Sequence, residues 1–280
     1  MYHLRQMFSR SKSSLAALTN SIDLTLWSAK QIRNKTTFRL WYLKQVLKGE
    51  PELRLVSCLS DPNRVTLDVG SNRGLYVLAA LPFSKGVMAF EPQPHLAGFL
   101  RRFLPRTVRI FELAASDTDG NATLLVPANP RSHEEARLST PGDGRLRAAA
   151  KYLEVTVEKK RLDDIVVEPV GLIKIDVEGH ELSVLEGASK LIESYRPNII
   201  IEIEERHRAG ARTSTFRWFE DKRYRGYVLK NGTLVSQKEP GEQSKQGPQE
   251  PYVYNFIFLP EERAPALRPS LWGAMAGLLV

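Results

Sequence analysis

One run of residues limits the fold of this chain more than any other: Val65-Thr66-Leu67-Asp68-Val69-Gly70-Ser71-Asn72-Arg73-Gly74. An apolar strand ends on an acidic residue and enters a glycine turn that opens a helix. A second apolar run, Gly86 to Phe90, ends in Glu91-Pro92, 23 residues after Asp68. A buried strand, a tight turn and a second strand bearing a carboxylate about 20 residues on describe a nucleoside-cofactor pocket. Such a pocket lies at the carboxyl edge of a parallel sheet.

Details of the turn narrow the cofactor. Gly70 and Gly74 let the backbone turn sharply and approach a ligand closely, and Glu91 can accept hydrogen bonds from ribose hydroxyls. A dinucleotide fingerprint requires a glycine in the middle slot to admit a pyrophosphate. Here Asn72 occupies that slot, and Asp68 would repel a pyrophosphate by like charge. The ammonium of a zwitterionic aminoacyl sulfonium is instead attracted by a nearby carboxylate. The pattern therefore favours S-adenosylmethionine (SAM) over NAD; the bland alternative is a strand-to-helix turn with incidental acids.

From Val65 onward strand and helix alternate. Strands are predicted at 65–69, 86–90, 108–113, 172–177 and 198–203, and helices at 74–81, 94–104, 181–194 and 213–224. Continuously apolar strands alternating with helices imply a parallel sheet covered on both faces. An insertion between the third and fourth strands holds strand-like segments at 122–126 and 153–157 and an irregular arm from Pro127 to Gly144. Two further strands, 226–230 and 252–259, close the sheet as an antiparallel pair. The expectation is an α/β, doubly wound, mostly parallel seven-stranded sheet of the Rossmann-like kind used by SAM-dependent methyltransferases.

The amino-terminal part reads as a helical extension. Leu15, Leu18, Ile22, Leu26 and Ala29 recur at three- and four-residue steps, and Phe38, Trp41, Tyr42 and Val46 mark a second helix stopped by Gly49 and Pro51. The predicted organisation is an extension over residues 1–62, a catalytic domain over 63–262 with a mobile loop at 238–251, and a tail over 263–280. The loop, rich in Gln, Glu, Pro and Gly, lacks the composition of a core. The apolar end, Leu271 to Val280, is half the length of a membrane span.

Net charge is +8, with 40 Lys and Arg against 32 Asp and Glu. Residues 1–49 carry nine of those cations and one acid, Asp23. This permits an acidic partner, including peripheral contact with an anionic membrane through the basic amino terminus, or a transit peptide. Solvated charge on an added helical layer is the preferred reading. The single cysteine, Cys58, excludes an internal disulfide and fits a reducing compartment, and the amino terminus lacks a secretory pattern. A cytoplasmic protein is expected, of undetermined oligomeric state.

The fourth strand carries the chemistry. Leu172-Ile173-Lys174-Ile175-Asp176-Val177-Glu178-Gly179-His180-Glu181 gathers Asp176, Glu178 and His180 where strand becomes helix, at the ligand-binding edge. A period-two segment lets the three side chains face one way. Methyl transfer to a hydroxyl requires alignment and a base for the departing proton. His180 is a natural base near neutral pH, with Asp176 or Glu178 orienting it or holding the acceptor; helix capping is the structural alternative for Glu178 and His180. The ligand types also suit a metal, but the spacing matches no metal signature, and none is expected. Glu202 and Glu204, ending the next strand, are candidate acceptor-binding residues or merely exposed acids. Asp117, in Ala115-Ser116-Asp117-Thr118-Asp119-Gly120, can reach an adenine ring or serve as turn chemistry.

Together these motifs resemble the FkbM family of SAM-dependent methyltransferases. The matching pieces are Asp68 to Gly74, Phe90-Glu91-Pro92, Ala115-Ser116-Asp117 with Gly120, Leu162-Asp163-Asp164, Ile173 to Glu181, and Ile200-Ile201-Glu202. They occur in the family's order over roughly half the chain, from residue 65 to 205. The glycine turn is widespread among methyltransferases, and the Ile-Asp-Val-Glu-Gly-His-Glu run is far more specific. The resemblance implies methylation of a hydroxyl on a sugar, polyketide or other small metabolite. It carries cofactor roles onto Asp68, Gly70, Asn72, Gly74 and Glu91, and makes the Asp176–His180 segment the reaction edge. Arg73 is bulkier than the small residue expected there and either faces solvent or pairs with the cofactor carboxylate.

Other readings are a non-catalytic SAM-binding scaffold and a nucleic-acid methyltransferase. Base-methylating enzymes resemble one another in an Asn/Asp-Pro-Pro-aromatic run at the fourth strand. Asp176-Val177-Glu178-Gly179 has neither proline nor aromatic, so a nucleic-acid substrate is disfavoured.

Overall fold

The computed structural model describes residues 32–129, 136–139, 152–206, 208, 210–237 and 253–263. The amphipathic segment 13–29, most of the 127–144 arm, the 238–251 loop and the apolar carboxyl end lie outside these residues.

Helix α1 (Lys35–Lys48) starts where the sequence supplies a cap. The Asn34 side chain accepts from the Thr37 N–H at 3.0 Å, and Thr37 Oγ1 accepts from the Asn34 N–H at 3.1 Å. These reciprocal bonds satisfy donors that a helix start otherwise leaves unpaired. Phe38, Trp41, Tyr42 and Val46 form the buried stripe, and Gly49 then Pro51 end the helix. A 3-10 turn (Pro51–Leu55) and the short α2 (Val56–Leu59) lead to the sheet.

The sheet is built from β1 (Val65–Val69), β2 (Gly86–Phe90), β3 (Arg109–Phe111), β8 (Val170–Ile175), β9 (Asn198–Glu202), β10 (Tyr224–Lys230), β11 (Thr233–Gln237) and β12 (Asn255–Pro260). Its order is β11-β10-β12-β9-β8-β1-β2-β3. The five strands β3, β2, β1, β8 and β9 run parallel, and β12 and β10 close the sheet antiparallel. With helices on both faces this is the Rossmann-like class I methyltransferase architecture. The strands are apolar on both sides because both are covered. One face sets Leu67, Val69, Ile173, Ile175, Ile199 and Ile201 against α5 (Leu162–Ile165), α6 (Glu181–Gly187), α7 (Ser189–Tyr195) and α8 (Ala211–Asp221). The opposite face sets Val87, Ala89, Leu172, Ile200 and Ile257 against α1, α3 (Leu75–Ala80) and α4 (Pro94–Phe103). The extension therefore belongs to the second apolar core: Phe38 meets Phe103 at 5.3 Å and Phe99 at 5.7 Å between ring centroids.

Two expectations need correction. The sheet has eight strands rather than seven, because 233–237 folds back on β10 through Asn231-Gly232. Both turn residues have positive φ (49° and 76°), as a two-residue hairpin demands. The helix expected over 181–194 is two helices meeting at Ala188, since α6 ends at Gly187 against the Ser116 carbonyl. An added Cβ at Gly187 would lie 1.8 Å from that oxygen. The insertion makes its own sheet, β4-β7-β5-β6, from β4 (Ala114–Ala115), β5 (Gly120–Pro127), β6 (Arg137–Leu138) and β7 (Tyr152–Lys160). It joins the main fold beside the ligand edge. No helix among the described residues is long and apolar enough to cross a membrane.

Candidate active site

The glycine turn is welded to its neighbours on both sides. The Gly70 and Ser71 N–H groups donate to the Phe90 carbonyl at 2.9 and 3.1 Å, and the Asp176 N–H donates to the Val69 carbonyl at 2.9 Å. Gly70 has φ +78°, and a Cβ there would fall 1.7 Å from the Asp176 carbonyl oxygen. Only glycine lets the first turn and the Asp176 edge approach so closely. Gly74, at φ +79°, faces Leu100 and Leu104 instead, so its contacts are with the α4 end of the fold.

Over this edge opens a cleft with about 590 Å³ of empty space, lined by Gly70, Asn72, Glu91, Asp176, Glu178 and His180 with apolar walls from Phe90, Leu113 and Leu124. Six of the sequence-predicted residues thus share one cavity, and Arg137 of β6 joins them.

Glu91 is 3% exposed and held by two backbone donors, the Asn72 N–H at 2.7 Å and the Gln93 N–H at 2.9 Å. Each donor takes one carboxylate oxygen, which leaves acceptor capacity for other donors. Burial pushes its carboxyl up to about 7, against those two bonds. Asn72 takes the left-handed conformation, φ 47°, that points its N–H at Glu91. Arg73 bonds the Asn72 side-chain oxygen at 3.4 Å and draws Glu91 toward ionisation.

Asp176 and His180 occupy different surroundings. The pairing of Asp68 with Lys174 across β1 and β8 puts both on the face bearing Leu172 and Ile200, with Asp176 one step further toward the edge. Lys174 is 1% exposed; its Nζ lies 3.8 Å from Asp176 Oδ2 and 5.0 Å from the centre of the Tyr76 ring. A buried ammonium is tolerated where anions compensate it, and here Asp176, Glu50, Glu202 and Asp68 keep it charged. The Asp176 side chain retains 33% of its surface toward the cleft. Burial raises its carboxyl to about 6, with Lys174 opposing the rise and Glu178, Glu50 and Glu204 adding to it.

His180 looks the other way. Its Nε2 is 3.0 Å from Ser116 Oγ, and that hydroxyl donates to Asp117 Oδ1 at 2.9 Å. The serine's one proton is thereby spent, so Nε2–H is the donor in the first bond. Burial lowers the imidazole below its usual range, and the charges it senses are Asp117, Lys159 and Arg208. His180 sits at the N-cap of α6 without a capping bond from its side chain. The Glu178 backbone, φ 52°, and Gly179, φ 98°, make the turn between the two environments. Glu181 braces that turn by accepting from the Gly179 N–H at 2.7 Å.

The remaining predicted residues are dispersed. Asp68 is 2% exposed with its Oδ2 lacking a hydrogen-bond partner, and burial lifts it to about 7. Asp117 is half-buried beyond His180. Glu202 lies on the Lys174 face, raised to about 9 by burial and by Asp176, whereas Glu204 pairs with Arg206. Among the described residues, no three His, Cys, Asp or Glu side chains are grouped as a metal site requires. Sequence reasoning passed over Lys174, although a lone lysine inside an apolar strand was visible. Ser116 stood in the Ala115-Ser116-Asp117 motif without an assigned role, and Glu50 and Tyr76 carried no local signal; Tyr76 Oη donates to Glu50 Oε2 at 2.6 Å, across 26 residues of chain.

Residues 68–230 match the model of the methyltransferase FkbM domain. The chain belongs to the FkbM methyltransferase family. Relatives of this FkbM methyltransferase include methyltransferase sdnD of Sordaria araneosa, 30% identical over 51% of this chain and 67% of that protein. The 2-O-methyltransferase NoeI of Sinorhizobium fredii is 29% identical over 51% of this chain and 65% of its own. The hexuronic acid methyltransferase AglP of Haloferax volcanii is 29% identical over 59% and 66%. The chain thus spans about two-thirds of the length of each of these relatives.

Proposed function

We propose that this methyltransferase uses SAM to methylate a hydroxyl of a sugar or small hydroxylated metabolite, with Asp176 as the base. The observation that carries this reading is the single cleft with Glu91 and Asp176 in it, Glu91 on two amide donors and Asp176 on the buried Lys174. When bound, SAM supplies an electrophilic methyl group on a sulfonium. The residues present suit it. Glu91 has acceptor capacity for ribose hydroxyls, the walls Phe90, Leu113 and Leu124 suit an apolar ring, and the unpartnered Asp68 Oδ2 has the charge an ammonium needs. Asn72 and Gln93 orient Glu91, and Gly70 fixes the distance from turn to reaction edge.

Asp176 takes the acceptor's proton as the new bond forms; Lys174 holds its carboxylate ionised in spite of burial. His180 closes the Ser116–Asp117 side of the cleft instead, because its Nε2 is engaged. The 2-O transfer named for NoeI and the hexuronic acid named for AglP support a hydroxyl on a sugar as the acceptor class. The boundaries at 62 and 262 and a cytoplasmic location stand as part of the same proposal.

Calorimetric titration with SAM, with NAD(H) as control, tests the donor. SAM is expected to bind, NAD(H) not to bind, and Glu91→Ala to abolish SAM binding without unfolding the chain. Undiminished binding by that variant would remove Glu91 from the pocket.

A further inference from the structure

The carboxyl edge extends past the cleft, on the face that α1 and α3 cover, and hydrogen-bond acceptors gather there. Glu202 ends β9 on that face, and strand pairing sets Asn255 of β12 directly beside it. Asn255 is 4% exposed, and its Oδ1 has no hydrogen-bond partner. A buried amide oxygen without a donor is costly unless a ligand or water completes it. The chain before β1 contributes the other side: Glu50, held by the Tyr76 hydroxyl at 2.6 Å, acts electrostatically on Asp176, Glu202 and Tyr254 alike. Glu52, 7% exposed, acts on Tyr254 as well. Among the described residues the cation inside this group is Lys174, and it is paired with Asp176.

We infer that Glu202, Asn255 and Glu50 form the acceptor subsite, and that it takes a polyol bearing a protonated amine, such as an amino sugar. The inference rests on the methyltransferase reading above and adds the acceptor's charge. Three groups that accept hydrogen bonds, two of them acidic, call for a ligand rich in donors. A protonated amine supplies donors and positive charge together. A carboxylate-bearing sugar, the class named for AglP, would meet Glu50 and Asp176 as like charges, whereas an ammonium would draw the buried Glu202 toward its ionised form.

Binding of glucosamine, glucose and glucuronate to the full chain saturated with S-adenosylhomocysteine tests this, by calorimetry or saturation-transfer NMR. Glucosamine is expected to bind at least tenfold more tightly than glucose, with glucuronate weakest. Glu202→Gln and Glu50→Gln should each shrink the preference for glucosamine over glucose at least threefold and leave S-adenosylhomocysteine affinity unchanged. Glucuronate binding as tightly as glucosamine, a preference that survives both substitutions, or no binding of any of the three would overturn the subsite. Failure to bind S-adenosylhomocysteine would count against the donor pocket itself.

Discussion

At the scale of the residue, the fold separates two groups that a linear motif holds four positions apart. Asp176 faces Lys174 and the cleft, whereas His180 is bonded to Ser116. The two assignments give different kinetics. Asp176→Asn is expected to lower kcat by about two to four orders of magnitude, the usual range for losing a positioned base. His180→Ala is expected to lower it less than tenfold; the reverse order, measured by S-adenosylhomocysteine release, would return the base to the histidine. A base acts in its ionised form, and the Asp176 carboxyl is raised to about 6. The rate should therefore fall tenfold per pH unit below about 6 and level off above it. A profile flat from pH 5 to 7 would contradict the assignment.

At the scale of the element, α1 is an added helix that shares the core of the sheet. Phe38 is 3% exposed and touches the rings of Trp41, Phe99 and Phe103. Phe38→Ala should cost about 3–5 kcal/mol, the range for emptying a buried aromatic site, read from urea unfolding; a change under about 1 kcal/mol would mean that α1 docks loosely. The buried stripe of α1, the strands β1, β2 and β9, and the meeting of Gly70, Glu91 and Asp176 at one cleft were all legible in the sequence, because each is written in local spacing. What stayed hidden depends on partners distant in the chain. The β11 hairpin alternates weakly and sits at an exposed edge, although Asn231-Gly232 announced its turn. The break at Ala188 follows from the approach of Gly187 to a carbonyl 71 residues away in sequence order, that of Ser116. Period-two reasoning set His180 beside Asp176, but the left-handed turn at Glu178 and Gly179 ends the strand geometry before it reaches the histidine.

At the scale of the whole molecule, the buried acids tie stability to pH. Burial raises Asp68, Glu91 and Glu181 to about 7 and Glu202 to about 9. A carboxyl whose value is higher in the folded chain binds its proton more tightly there. Its contribution is fully present below the unfolded value, near 4, and is lost as pH rises toward the folded value. His180, held low by burial, acts in the opposite sense as pH falls through its ordinary range. It is one group against five, since the Asp176 carboxyl, raised to about 6, acts with the other four. The paired surface acids Glu168, Glu193 and Glu262 are lowered, so they weaken the fold only in stronger acid. The thermal unfolding midpoint of the unliganded chain should therefore rise as pH is brought from 7.5 to 5.5. A midpoint that drops over that interval would show that these carboxyls are hydrated in solution.

The Glu50–Tyr76 bond has a consequence for inheritance. Glu50 and Asn255 both fall outside residues 68–230, the span shared with the family, while Asp68, Glu91 and Asp176 fall within it. Two of the three groups of the proposed acceptor subsite are thereby encoded outside the stretch that carries the donor pocket, with Glu202 left inside it. Exchanging the stretch before β1 between two relatives would transplant one wall of the acceptor subsite and leave the methyl-donor pocket of the recipient as it was.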